Sequence, residues 1–431
     1  MKKIKICYIL SGFFPDNKAG TEIYVKNLAK ALPDGTFDVS ILIPSMDVET
    51  EYEYEGLKVY TFLEEAVPGK KVFVGLADPP GLKSFTRRLI QISPEIAHFH
   101  TNNRIINSRH MNVARKLGMK IVFTAHLSGI FCHRGDLQYM AKEQCDGVVR
   151  ELKCTSCVLH ANGMGEKKAI LTSGLVYLYN RLGMSKLFMS GFYLIRNKKK
   201  ELQRMNHHCH SIIAISEWIE NTYKANHIGE IILIPQAIDP GSLPASKQYH
   251  SGADRLRILF MGRLTYIKGL HILLSALSLH NLQSRVHLLI AGIRITTEEA
   301  YYNEMRLATK ALDSSEWLEN VPQHKLGELL GQTDVVCIPS LVAEMAPLSI
   351  LEAASFQVPV IGTDLAGISD MVEEESSGLL FPFNNELALF NCIKRLLDEP
   401  ELLERMRKNV QNSRPYAAMI AKHTDLYKDL L

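Results

Sequence analysis

The chain reads as an α/β protein made of two doubly wound, Rossmann-like domains, and three observations predict that class. At 431 residues it exceeds what a single hydrophobic core ordinarily organises. Short apolar, β-branched runs alternate with helical patterns over nearly the whole length, as in parallel sheets covered by helices. A Pro-, Gly- and Ser-rich stretch, Ile238 to Gly252, interrupts that alternation as a linker would. The expected division is residues 1–240, then 253–412, then a terminal helical segment, 413–431.

Taken in order, Lys5 to Leu10 is a first buried strand. The opening Met1-Lys-Lys-Ile-Lys-Ile superficially mimics a signal peptide, but its apolar segment is short and runs into Pro15 without a small-residue cleavage site. A cytoplasmic chain is therefore expected. Phe14 to Glu22 leads into a helix from about Ile23 to Leu32, and a glycine at such a junction lets the backbone approach a ligand closely. Gly20 and Thr21 are candidate contacts for that reason. Ile121 to Ala125 is a short apolar strand ending in His126, at the carboxyl edge of the first sheet.

In the second half, Arg257 to Met261 is a strand, followed by Gly262-Arg263 and by Lys268-Gly269 at a helix entry. Two fixed cations in such a loop can neutralise a departing diphosphate, and Arg can do so bidentately. Asp334 to Ile338 is another buried strand. The loop after it holds Glu344, Pro347 can open a helix, and Glu352 lies about a turn and a half into it. The first-turn N–H groups around Leu348 and Ser349 would point at an anion. Acceptors for two hydroxylated groups thus flank a positive pole for phosphate, which suits a sugar nucleotide.

The Glu344–Glu352 spacing resembles the E-x7-E signature of the retaining glycosyltransferases of family 4, also called group 1 glycosyl transferases. The run from Gly262 to Gly269 is similar to that family's diphosphate clamp. The resemblance implies the GT-B fold: two Rossmann-like domains facing across a cleft, with the C-terminal helix crossing back to the first. It implies that Glu344 holds donor-sugar hydroxyls, Glu352 the ribose, and Arg263 with Lys268 the diphosphate. It also places His126 beside the transferred sugar. No catalytic metal is expected, because the two cations and the helix N-terminus take that role. The family usually has two glycines where Ala19-Gly20 stands and Asn-Gly where Gln236-Ala237 stands.

Residues 130–210 depart from the generic pattern. Cys132, Cys145, Cys154 and Cys157 form C-x12-C-x8-C-x2-C. That set fits a structural zinc site, one or two disulfides, or four unrelated thiols. His133 and the cluster His207-His-Cys209-His210 offer substitute ligands. From Lys167 to Lys200, aromatic, Leu and Met residues mix with basic ones, without an apolar span long enough to cross a bilayer. The pattern suits amphipathic helices lying peripherally on the inner face of a membrane, or helices packed on the first domain.

A formal charge of +3, with no basic run interleaved with aromatics, argues against nucleic acid as a partner. The expected activity is transfer of a sugar from a nucleotide-diphosphate donor to an acceptor hydroxyl, with retention, on a glycan or lipid-linked acceptor in polysaccharide or glycolipid synthesis. The alternatives are a sugar-nucleotide hydrolase or 2-epimerase sharing the donor cradle, and a non-catalytic sugar-nucleotide-binding protein.

Overall fold

The computed structural model describes residues 2–17, 19–64, 72, 77–182, 190–239, 255–312, 314–410 and 415–431. The expected linker lies mostly outside them. The chain divides into two units, Met1–Pro235 with Ala417–Leu431, and Gln236–Tyr416.

Unit 1 is built on an eight-stranded sheet in the order β10-β9-β6-β5-β1-β2-β4-β3. The strands are β1 (Ile4–Ile9), β2 (Phe37–Ser45), β3 (Glu51–Tyr54), β4 (Leu57–Leu63), β5 (Ile96–Phe99), β6 (Lys120–Thr124), β9 (Ser211–Ala214) and β10 (Ile231–Leu233). Only β3 runs antiparallel to its neighbour, as a hairpin with β4 at the sheet edge. β5, β6 and β9 have nearly every residue buried, so both faces are covered and the apolar residues run continuously. The helix after β1, α1 (Gly20–Ala31), starts earlier than its pattern suggests. Ala19 is its N-cap, and Glu22 accepts the Ala19 N–H at 3.0 Å. Gly20 is an ordinary first helical residue and not one of the positive-φ positions. Its permissive backbone is not what shapes this junction.

Between β6 and β9 comes the cysteine-bearing lobe. It holds a small hairpin, β7 (Gln138–Tyr139) and β8 (Glu143–Gln144), and three helices: α4 (Glu151–Ala161), α5 (Glu166–Arg181) and α6 (Ser190–His208). α4 packs on both α5 and α6, and α6 packs on α3 (Ser108–Lys116) of the doubly wound layer. The amphipathic expectation for this region needs correcting at α5. Ala169, Ser173 and Val176 face inward, yet the outward face is also apolar. Leu171, Leu175, Leu178 and Leu182, at helical spacing, are 66%, 51%, 53% and 65% exposed. Among the described residues no helix is long and apolar enough to cross a membrane.

Unit 2 has a six-stranded, fully parallel sheet in the order β13-β12-β11-β14-β15-β16. Its strands are β11 (Leu256–Leu264), β12 (Val286–Arg294), β13 (Ser315–Glu319), β14 (Val335–Ile338), β15 (Val360–Thr363) and β16 (Gly378–Phe381). Counted within the unit this is the 3-2-1-4-5-6 doubly wound order, which reverses between β11 and β14. Helices cover both faces, and separate apolar clusters centred on Phe260 with Phe381 and on Leu259 with Val336 fill the two sides.

The terminal helix, Tyr416–Asp429, packs into unit 1: Tyr427 Oη meets Tyr8 Oη at 3.2 Å and His98 Nδ1 at 2.7 Å.

Candidate functional site

In a doubly wound sheet, ligands bind beyond the carboxyl ends of the strands where the order reverses. In unit 2 the loops leaving β11 and β14 flank that point, and they carry the two motifs read from the sequence. The loops are stitched together. Gly269 sits at φ +74°, and a Cβ there would lie 1.8 Å from the carbonyl oxygen of Pro339. Leu341 N–H donates to Ile267 O at 2.8 Å. Only glycine permits this approach, on both conformational and steric grounds.

The approach brings Lys268 to Glu344. Lys268 Nζ donates to Glu344 Oε1 at 2.5 Å, Ser340 Oγ donates to the same oxygen at 2.7 Å, and the backbone N–H of Glu344 donates to Ala366 O at 3.0 Å. The two side chains are 22% and 15% exposed. Burial pushes the Glu344 carboxyl up, but Lys268, Ser340 and the more distant Arg263 outweigh it and leave it below its ordinary value. Arg263 itself is exposed at the end of β11.

Beyond Glu344, Pro347 is the N-cap of α11 (Leu348–Ser355), with ψ 122°. The sequence reading made it the first helical residue. Its extended ψ shifts the helix start by one, so the N–H groups of Leu348 and Ser349 become the first pair of the opening turn. Glu352 follows one turn later, half-buried, and burial alone raises its carboxyl to about 7.

Unit 1 places its candidates differently. Gly20 and Thr21 open α1 after the central strand β1, on one side of that sheet's reversal between β1 and β5. His126 follows β6 and belongs to a network of aromatic and imidazole rings. His100 Nδ1 lies 3.1 Å from His126 Nε2, and the Tyr24 ring centroid lies 4.7 Å from that of His126. Tyr24 Oη meets His423 Nε2 of the terminal helix at 3.1 Å, and His98 Nε2 meets Thr124 Oγ1 at 2.8 Å. Burial lowers all four histidines, His126 to about 3 and His423 to about 4, with neighbouring imidazoles adding to it for His98, His100 and His126. At neutral pH they are uncharged, so His126 can exchange hydrogen bonds with a hydroxyl but does not act as a cation.

The sequence reading missed His98, His100 and His423. The signal was there in part: two histidines at alternate positions of the apolar run Ile96-Ala-His-Phe-His100, and His423 four residues before Tyr427.

The four cysteines line one cavity of about 30 Å³. All are free thiols, which sets aside the disulfide reading. The closed zinc arrangement is not formed either: among the described residues no three His, Cys, Asp or Glu are grouped to hold a metal ion. The reason lies in the individual partners. Cys132 Sγ faces Asp136 Oδ1 at 3.7 Å, Cys145 Sγ faces Asp146 Oδ1 at 3.8 Å, and Cys154 Sγ faces Val148 O at 3.9 Å. Cys157 Sγ accepts the Met140 N–H at 3.4 Å. Of the substitute ligands, His210 Nδ1 accepts the Ile121 N–H at 2.9 Å, and Cys209 Sγ lies 4.0 Å from Met111 Sδ.

The two largely parallel, Rossmann-like sheets give the chain the GT-B fold. Residues 245–413 match the model of the glycosyl transferases group 1. The putative colanic acid biosynthesis glycosyltransferase WcaL of Escherichia coli is 31% identical over 173 residues, 37% of this chain and 42% of that protein. The UDP-Gal:alpha-D-GlcNAc-diphosphoundecaprenol alpha-1,3-galactosyltransferase of the same species is 32% identical over 30% of this chain and 32% of its own length. The chain thus spans less than half the length of these curated relatives. Two solved structures share the fold end to end. The sucrose-phosphate synthase of Thermosynechococcus elongatus has a TM-score of 0.68 and 17% identity, covering 99% of each chain. Anabaena HepE in complex with UDP and glucose has a TM-score of 0.66 and 14% identity, covering 99% of this chain and 100% of its own. The family match thus covers most of unit 2, and the solved structures show the fold of the whole chain.

Proposed function

We propose that the protein transfers a sugar from a nucleotide-diphosphate donor to an acceptor hydroxyl, with retention of configuration, in polysaccharide or glycolipid synthesis. The observation that carries this reading is the Lys268–Glu344 pair at the point where the unit 2 sheet reverses. Lys268 and Arg263 stabilise charge on the leaving diphosphate, aided by the N–H groups of Leu348 and Ser349 at the start of α11. Glu344, kept ionised, accepts hydrogen bonds from sugar hydroxyls, and Glu352 accepts those of the ribose. No carboxylate is assigned as a nucleophile. Retention then follows when the acceptor attacks on the face the diphosphate leaves, with a phosphate oxygen taking the acceptor proton. His126, neutral, holds a sugar hydroxyl, and Gly20 and Thr21 contribute the first N–H groups of α1.

The experiment is nucleotide binding combined with acceptor-dependent release of nucleotide diphosphate. Release that needs an acceptor supports transfer. Release without one points to the hydrolase or epimerase alternative, and binding without release to a non-catalytic protein. Glu344→Ala should weaken the sugar nucleotide more than the free nucleotide diphosphate, whereas Glu352→Ala should weaken both alike.

Two features of the lobe extend the proposal. The outward leucines of α5, bordered by Lys167, Lys168 and Arg181, suit the interface of an anionic bilayer. Leu171→Ser with Leu175→Ser should then abolish sedimentation with phosphatidylglycerol vesicles and leave turnover on a soluble acceptor unchanged. The four cysteines share one cavity, and they are proposed to leave their present partners and close on one structural zinc when the metal is supplied. About one zinc per chain, lost in Cys154→Ser, supports this; metal-free protein leaves a thiol-lined packing cavity.

A further inference from the structure

A second cavity in unit 1, of about 230 Å³, lies beyond the carboxyl ends of β5 and β6, the place a doubly wound sheet offers to ligands. Asn102 and Asn103 reach it from the loop after β5, Leu127 and Gly129 from the loop after β6, and Lys198 and Arg204 from α6. Its charge is one-sided. Arg104, Arg109, Lys198 and Arg204 line it, against one carboxylate among the described residues, Glu201. Glu201 is turned toward α3: its two carboxylate oxygens accept the N–H of Ser108 and, at 2.9 Å, the Ser108 hydroxyl.

Burial first, and neighbouring charge second, bear on the titratable groups of the cavity. Burial, then Lys198 and Arg104, push His133 down to about 4, so it is a neutral donor or acceptor there. Burial lowers Lys198, and Arg104 adds to the effect against the opposing pull of Glu201. Lys198 Nζ donates to the carbonyl oxygen of Gly129 at 2.5 Å, which fixes the ammonium at the cavity wall. Arg109 is neutralised by Asp78 at 3.1 Å. Gathering cations in a half-enclosed space costs free energy that an anion would return, and guanidinium groups match phosphate oxygens bidentately.

We propose that this cavity binds a phosphate or diphosphate ester, and that the ester belongs to the acceptor. The first half rests on the cavity alone. The second rests on the glycosyltransferase reading, because the donor diphosphate is assigned to Arg263 and Lys268 of the other unit. The acceptor is then a phosphorylated glycan or a lipid-linked saccharide, and both present the same anionic chemistry to Arg104, Lys198 and Arg204. The amides of Asn102 and Asn103 would serve the neighbouring sugar.

The test uses the full chain carrying Arg263→Ala and Lys268→Ala, which removes the anion site of unit 2. Inorganic pyrophosphate is titrated calorimetrically at low and at physiological salt. Saturable binding that weakens with salt is expected, as is a loss of roughly tenfold or more in Arg204→Gln and in Arg104→Gln. Both side chains are exposed, so these variants should fold; Lys198→Met, at a half-buried position, is read only alongside an unchanged melting curve. Geranyl diphosphate binding more tightly than pyrophosphate identifies a lipid-linked source, and glucose 1-phosphate doing so identifies a soluble one. No saturable binding, or binding that the arginine variants leave intact, overturns the proposal. Nucleotide binding by the unaltered chain is measured in parallel. Its failure would bring down the glycosyltransferase reading while leaving the pyrophosphate result to judge the cavity.

Discussion

The two units solve the same topological problem with opposite electrostatics. Unit 2 gathers formal charge where its sheet reverses: an ammonium on a carboxylate, a guanidinium nearby, and a helix N-terminus. Unit 1 surrounds His126 with imidazoles kept neutral by burial, those of His98, His100 and His423, and with the rings of Tyr8, Tyr24 and Tyr427. In the proposed transfer this difference divides the labour: the leaving-group side would stabilise developing charge, whereas the His126 side would only position hydroxyls. A charged imidazole beside a sugar hydroxyl would lose its acceptor nitrogen.

The contrast is broken most forcefully by acid. An unfolded histidine takes up a proton below about 6.5, which the folded unit 1 resists because its imidazoles are buried. The unfolded state therefore binds more protons, and stability present above that value is lost as pH falls through it. At pH 5 each such histidine costs roughly 2 kcal/mol at most, so the four together cost several. Calorimetry should show the transition of unit 1 falling steeply between pH 7 and 5 while that of unit 2 moves less. Equal displacement of both transitions would remove the neutral-network account.

Next in size is Lys268→Ala, expected to lower the chemical rate by roughly 10²–10³ through the loss of one preorganised charge. It should also destabilise unit 2, since Glu344 is left partly buried without its cation. His126→Asn, which removes a neutral hydrogen-bonding group, should cost less, about tenfold, and chiefly in kcat. A larger loss for His126 than for Lys268 would reverse the roles given to the two units.

How far each unit was legible follows the same divide. Unit 2 was readable because its chemistry sits on short local patterns. The strand before Arg263, the strand before Glu344 and the helix carrying Glu352 were each visible, and the strand order merely brought two loops together. What no pattern showed was the closeness of Gly269 to Pro339, an atomic contact between segments some seventy residues apart. In unit 1 the site is assembled from β1, β5, β6 and a helix at the far end of the chain, so His423 and His100 share no local pattern. The basic cavity is hidden for the same reason: Arg104 and Arg204 lie one hundred residues apart. Inside the lobe, periodicity suggested an amphipathic helix, but it could not show that the leucines of α5 face outward, because that depends on which face α4 covers.

The smallest expected effect sharpens the comparison within unit 2 itself, where Glu344 and Glu352 differ in what surrounds them. Glu344 has a cation and a hydroxyl, whereas Glu352 has only burial, which raises it to about 7. For Glu352 the folded state binds more protons than the unfolded one above about 4.5. The stability this provides is full below that value and is lost as pH rises through about 7. Glu352→Gln removes the cost of holding a desolvated carboxylate. It should stabilise unit 2 by about 1–2 kcal/mol at pH 8 and hardly at all at pH 5, a figure kept modest because the side chain is only half-buried. In the proposed function ionised Glu352 accepts the ribose hydroxyls, so nucleotide affinity of the unaltered chain should rise with pH through 7. In the Gln variant it should be weaker and flat. A stability gain that is the same at pH 5 and pH 8 would show that Glu352 already has a charge partner, and the difference drawn between the two glutamates would fall.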